Sequence, residues 1–253
     1  MAKLGVQLYT VMDELKRDYL GTVRKTAGLG YEGVEFPTGL IGAVKKEDLR
    51  GVLNVHGIEA IGAVFSLEEI EERSEEIFDY LRFIDAGYVI YFGFTEPRAS
   101  KDEIIRDAER LNKIGRMAND SGFKFLYHIH GHELYRIDGD DAFDILFTHL
   151  DTDAVQLQID VYWVEWAGVD SVGFMSKYGA VCPCLHLKDM ADRALKTDIE
   201  VGDGALDMES IMRIGKKYNA SWFITEQEAF TMPTMKSIEI SLRNMKELQS
   251  RLS

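Results

Sequence analysis

The sequence predicts a single α/β domain spanning residues 1–253, folded as a closed (β/α)₈, or TIM, barrel. Three observations carry this. Eight short apolar runs alternate with longer segments of helical period from end to end. The connections between them are short, which implies parallel strands joined by right-handed crossovers. Eight such units in 253 residues suit a closed barrel better than an open sheet.

The eight runs are LGVQLY (4–9), GVEF (33–36), IEAIGAVF (58–65), YVIYFGF (88–94), FKFLYHIH (123–130), AVQLQID (154–160), VCPCLHL (181–187) and WFITEQ (222–227). Several are continuously apolar and rich in β-branched or aromatic residues, as strands covered on both faces should be. Between them the period changes to that of a helix. In 101–120, Ile104, Ala108, Leu111, Gly115 and Ala118 share one stripe. Ser100 with Glu103, and Ser66 with Glu69, have the spacing of capping boxes. The last segment puts Ile238, Leu242, Met245 and Leu252 on one face. Gly30, Gly57, Gly87, Gly122, Gly179 and Asn219 each precede a strand run, where a left-handed residue closes a helix.

Composition narrows the function. There are 43 acidic and 29 basic residues, a formal net charge of −14, which disfavours a nucleic-acid partner. The two cysteines, Cys182 and Cys184, form no disulfide framework and read as buried strand thiols. The N-terminus lacks the features of a signal peptide, and no run is long enough to span a bilayer. A cytoplasmic protein with no membrane partner is expected, and the sequence leaves room for a homo-oligomer.

In a barrel of this kind the working end is the C-terminal mouth of the strands. Polar residues collect there: Gln7 and Tyr9 end the first run, Glu35 the second, and His128, His130, His132 and Glu133 follow the fifth. Asp160 ends the sixth, His186, Lys188 and Asp189 the seventh, and Glu226 and Glu228 the eighth. Glu133, Asp160, His186 and Glu226 come from four consecutive strands. They form a mostly oxygen-donor set fit for one divalent metal, with Mn²⁺ the first expectation and Zn²⁺, Mg²⁺ and Co²⁺ compatible. Without a cation, acids converging in one pocket would repel one another. Each residue also has an ordinary explanation: Asp160 as a turn cap, His186 as a core histidine, Lys188 as a surface base. It is the three strand ends of Asp160, His186 and Glu226 taken together that favour the metal.

At these residues the sequence resembles the sugar phosphate isomerase/epimerase superfamily, the xylose isomerase-like barrels. The likeness covers nearly the whole chain through GVQLYTV (5–11), GYEGVEF (30–36), YHIHGHELY (127–135), IDVYWVEWAG (159–168), LHLKDM (185–190), VGDGALDM (201–208) and TEQE (225–228). It implies one metal held by two Glu, one Asp and one His, matched here to Asp160, His186, Glu226 and a ligand from the fifth strand. His128 occupies the usual ligand place, whereas Glu133 restores the usual inventory and is favoured. Ile129 stands where relatives have Asn, and Val64 where relatives often have His.

The resemblance implies an isomerase or epimerase of a small sugar or polyol. It would remove a proton α to a carbonyl and stabilise an enediolate. Glu226, His128 and Lys188 are the expected catalytic residues, and Tyr9, Glu35, His130 and Trp163 the expected substrate contacts. The nearest alternative is a dehydratase or hydratase of a keto-inositol or 3-keto sugar. An abasic-site endonuclease would need more histidines and a basic face, and a non-catalytic barrel would leave the ligand set without a use.

Overall fold

The computed structural model describes residues 1–252. Eight parallel strands close into a barrel: β1 (Lys3–Gln7), β2 (Gly33–Phe36), β3 (Glu59–Phe65), β4 (Tyr88–Tyr91), β5 (Lys124–His128), β6 (Val155–Asp160), β7 (Cys184–Leu187) and β8 (Trp222–Thr225). Each pairs with its neighbour in sequence, and β8 closes on β1. All eight strands fall on the expected apolar runs. Several stop earlier than their run, as β4 does before a turn at Gly93 with φ +77°.

The principal helices follow the strands: α1 (Tyr19–Leu29), α2 (Lys46–His56), α3 (Leu67–Phe83), α4 (Lys101–Asp120), α5 (Ala142–His149), α6 (Ser171–Tyr178), α7 (Met208–Lys217) and α8 (Thr234–Arg251). The stripe expected on α4 is buried throughout. Ser66 and Glu69 make a complete reciprocal capping box at α3. At α4 only half of one forms: Ser100 accepts from the Glu103 amide, but the Glu103 carboxylate accepts from the amide of Ala99 instead. Gly30, Gly57, Gly122 and Asn219 take the left-handed conformation expected before a strand. Gly87 and Gly179 do not. Asp85 adopts it in the first case, and in the second the chain runs on into a 3₁₀ turn.

Alternation along each strand divides the core in two. Outward residues such as Val34, Phe125, Leu157, Leu185 and Phe223 pack beneath the helices. Inward residues Ile61, Ile90, Leu126, Cys184, Trp222 and Ile224 form a separate apolar plug inside the barrel. Burying one such side chain stabilises the fold by about 2 kcal/mol. The plug depends on small neighbours: a Cβ at Gly33 would lie 2.6 Å from the Trp222 ring. Both cysteines are free and buried, as expected, and burial pushes the Cys182 thiol up to about 12. No helix among the described residues is long and apolar enough to cross a membrane.

Candidate metal centre at the barrel mouth

Continuing the inward alternation past the plug turns the barrel interior polar. On β5 the step from Leu126 leads to His128, on β7 from Cys184 to His186 and then Lys188, and on β8 from Ile224 to Glu226. On β6 the inward side chains are Gln158 and Asp160. The register sets His128 beside Gln158 and His186 beside Asp160. Local folding, strand by strand, thus delivers the donors to one level of the barrel.

His128, Asp160, His186 and Glu226 are all buried, and one donor atom from each lies within 4.8 Å of the others. His186 Nδ1 faces Glu226 Oε2 at 2.8 Å. Asp160 combines the two roles weighed for it. Its Oδ1 accepts from the amides of Tyr162 and Trp163, at 2.9 and 3.2 Å, and starts the short helix Val161–Trp166. Its Oδ2 is buried without a hydrogen-bond partner, as befits an oxygen whose partner is a cation. Ligands about 2.1 Å from one ion stand at most about 4.2 Å apart. The four donors therefore fit a divalent cation once they draw in by some tenths of an ångström.

Burial and neighbouring charges shift all four donors. Burial pushes the Asp160 carboxyl up to about 7, with Glu226 adding to the shift and Lys188 opposing it. Burial also acts upward on Glu226, but His186, Lys188 and His128 outweigh it and hold this carboxyl below its ordinary range. For His186, the Glu35 and Glu226 carboxylates overcome burial and raise it. Burial, reinforced by neighbouring imidazoles, keeps His128 well below its usual value.

Glu133, the favoured fifth-strand ligand, is not in this group; His128 is. The reason lies in the turn after β5. The chain reverses at Gly131, with φ +80°, and the Leu134 amide donates to the Gly131 carbonyl. Glu133 is thereby sent back onto the outward-facing Tyr127, whose hydroxyl donates to Glu133 Oε1 at 2.8 Å. Gly93 fits against the same corner, where a Cβ would come within 2.1 Å of the His128 carbonyl oxygen.

The other expected residues divide between wall, floor and rim of a cavity of about 360 Å³. His130 and Trp163 line it, with ring centroids 5.8 Å apart, and Tyr9 stands half-exposed at the rim. Burial lowers His130 to about 4. Glu35 lies at the floor, fully buried, with both oxygens already accepting hydrogen bonds from Gln7, Gln158 and His186. Lys188 is buried under the rings of Tyr162 and Trp163, 4.5 and 4.7 Å from their centroids. Its Nζ lies 2.8 Å from Glu228 Oε1 and 3.8 Å from Asp198 Oδ2. Burial pulls its pKa down, but Asp160 and Glu226 lead the charges that raise it above the usual value. It is a fixed cation.

Sequence reasoning missed Gln158 and Asp198. Gln158 was detectable as the residue two before Asp160, hence on the same face. Asp198, on a short hairpin, accepts from the amides of Glu228 and Ala229 at 2.7 and 3.0 Å and so anchors the loop after β8. Asp189 gathers the next segment, its carboxylate accepting from the amides of Met190, Gly202, Gly204 and Leu206. Asp189 thereby ties the LHLKDM segment to VGDGALDM.

A closed parallel barrel with its polar cluster at the C-terminal mouth places the chain among the α/β-barrel proteins that work at that end. The chain belongs to the xylose isomerase-like TIM barrel family, whose model matches residues 23–248. It is 30% identical over 138 residues to an inosose dehydratase of Clostridium beijerinckii, a match covering 48% of this chain and 46% of that protein. The chain thus matches about half the length of this curated relative. Its fold is similar to a sugar phosphate isomerase/epimerase from Parabacteroides distasonis, with TM-score 0.85, 18% identity and coverage of 97% and 94% of the two chains. It is likewise similar to the IOLI protein with a binding zinc atom, with TM-score 0.80, 16% identity and 99% of both chains covered.

Proposed function

We propose that this chain is a metal-dependent dehydratase of an uncharged keto polyol, the inosose class. The observation that carries this reading is the diversion of Glu133 onto Tyr127. Epimerisation takes a proton from one face of a carbon and returns one to the other, and so needs two acid–base groups. With Glu133 turned away, Glu228 engaged by Lys188 and both Glu35 oxygens already accepting from Gln7, Gln158 and His186, Glu226 is the carboxylate left to act in the cavity. A single carboxylate suffices for a syn elimination. The proton it takes from the carbon α to the carbonyl leaves with the β-hydroxyl as water, and the electron pair of the broken C–H bond becomes the new C=C bond.

His128, Asp160, His186 and Glu226 are the residues that would hold the metal, which when bound supplies Lewis acidity toward a carbonyl oxygen. Two imidazoles among four donors favour Mn²⁺, Co²⁺ or Zn²⁺ over Mg²⁺. Lys188 contributes a fixed positive charge behind Glu226, and Trp163 and His130 wall the substrate. No lysine or arginine lines the cavity among the described residues, which supports a substrate without phosphate. The partial likeness to an inosose dehydratase supports the same reading.

Isomerisation or epimerisation of the same substrates shares the first proton abstraction and is the second reading, supported by the family. Incubating the Mn²⁺- or Zn²⁺-loaded protein with keto-inositols and keto-hexoses separates them. Loss of one water with appearance of a conjugated ketone is expected. A product of unchanged mass and altered configuration would favour the second reading, and no turnover of any member would sink both.

A further inference from the structure

We infer that Glu35 is a positioning residue that fixes the tautomers of both histidines in the cluster, His186 directly and His128 through Gln158. This rests on the reading of His128, Asp160, His186 and Glu226 as a metal centre, and it gives Glu35 a task other than substrate contact.

The balance of donors and acceptors leaves one arrangement. An ionised carboxylate only accepts. Glu35 Oε1 lies 2.9 Å from His186 Nε2 and 2.7 Å from Gln7 Nε2, and Oε2 lies 2.6 Å from Gln158 Nε2. His186 therefore carries a proton on Nε2, and Nδ1, which it turns toward Glu226 and the cluster, is the nitrogen at which a cation would replace a proton. The Gln158 amide must point its NH₂ at Glu35, so its carbonyl Oε1 is the atom 2.8 Å from His128 Nδ1. A carbonyl also only accepts. His128 thus carries its proton on Nδ1, which leaves the Nε2 lone pair free. Gln7 cannot reverse this arrangement, because its own carbonyl accepts from the Tyr9 amide at 3.0 Å. Side chains from β1, β2 and β6 thereby dictate which nitrogen each imidazole on β5 and β7 can offer to a cation. Glu35 and Gln158 are completely buried, so no water competes for these bonds. Partners behind metal-binding histidines generally act by this means.

The test substitutes Glu35→Gln, which preserves shape but places an NH₂ where only acceptors stood. Binding of Zn²⁺ alone, measured by calorimetry, is expected to weaken ~10–100-fold. Nitrogen-15 spectra of the imidazoles are expected to show protonated Nε2 in zinc-loaded wild type for His186 and protonated Nδ1 for His128, with both assignments disturbed in the variant. A merely structural role would not move the tautomers of a protein that still folds. Should the variant not fold, Gln158→Met isolates one branch: His128 should lose its Nδ1 proton preference while His186 keeps its own. Unchanged tautomers with unchanged zinc affinity in Glu35→Gln would overturn the inference. The His128 tautomer can be read without zinc and without turnover. A wild type that binds no metal would therefore defeat the proposed function, whereas an Nδ1 proton on His128 that is lost in Glu35→Gln would still uphold the hydrogen-bond assignment.

Discussion

The hydroxyl of Tyr127 donates to Glu133 Oε1 at 2.8 Å on the outer side of β5, one residue from the inward-facing His128. The other Glu133 oxygen is buried without a hydrogen-bond partner. This carboxylate serves the corner after β5 and stands apart from the four clustered donors.

Removing that bond should therefore cost stability and spare metal binding. Tyr127→Phe is expected to destabilise the fold by about 1–3 kcal/mol in denaturant titrations. Its affinity for Zn²⁺ should stay within about twofold of wild type. A large loss of affinity would return Glu133 to the ligand set.

The same residue gives a pH dependence. Burial pushes Glu133 from 4.5 up to about 7. Below the lower value, folded and unfolded chains both hold the proton. Between the two values the folded chain keeps a proton the unfolded chain has released, so stability falls as pH rises through this window. The contribution is about 3 kcal/mol at most. Comparing unfolding of wild type and Glu133→Gln across that range should show a shallower fall in the variant.

Metal should bind at the cluster and report on each donor. Zn²⁺ or Mn²⁺ at a hundred times its Kd is expected to raise the unfolding free energy by about 2.7 kcal/mol. Asp160→Asn removes the charge at the unpartnered oxygen and should weaken binding at least ~10-fold, as should His128→Ala. Calorimetric titration after chelator treatment checks both. Equal affinity in either variant would contradict the cluster.

Lys188 tests the electrostatic frame. Replacing it with Met leaves Asp160, Glu226, Glu228 and Asp198 without their shared cation. The expected loss of stability is about 2–4 kcal/mol, reduced from the fully buried case because the Glu228 side chain is 38% exposed. Lys188→Arg should not restore wild-type behaviour, since Lys188 is buried beneath Tyr162 and Trp163 and a larger head group would overpack that site.

Much of this was legible in the sequence, for reasons particular residues make plain. Asp160, His186 and Glu226 sit at or just beyond strand ends, where the period-two alternation still governs direction, and the structure brings them together. His128 obeys the same parity through Leu126. Glu133 lies past the turn at Gly131, where parity no longer applies, and counting carboxylates favoured a side chain that packs on the outer side of β5. Glu35 was visible as a polar strand end, but its three donors come from β1, β6 and β7, which only the closed barrel assembles. Gln158 drew no attention because a neutral amide has no chemistry until its neighbours orient it.

The plug of Ile61, Ile90, Leu126, Cys184, Trp222 and Ile224 seals the barrel beneath the polar layer. Whatever binds among His130, Trp163 and Glu226 occupies a blind well, with arrival and departure through one doorway. Under the proposed reaction, product would leave by the passage through which substrate enters, so the two should compete for the free protein.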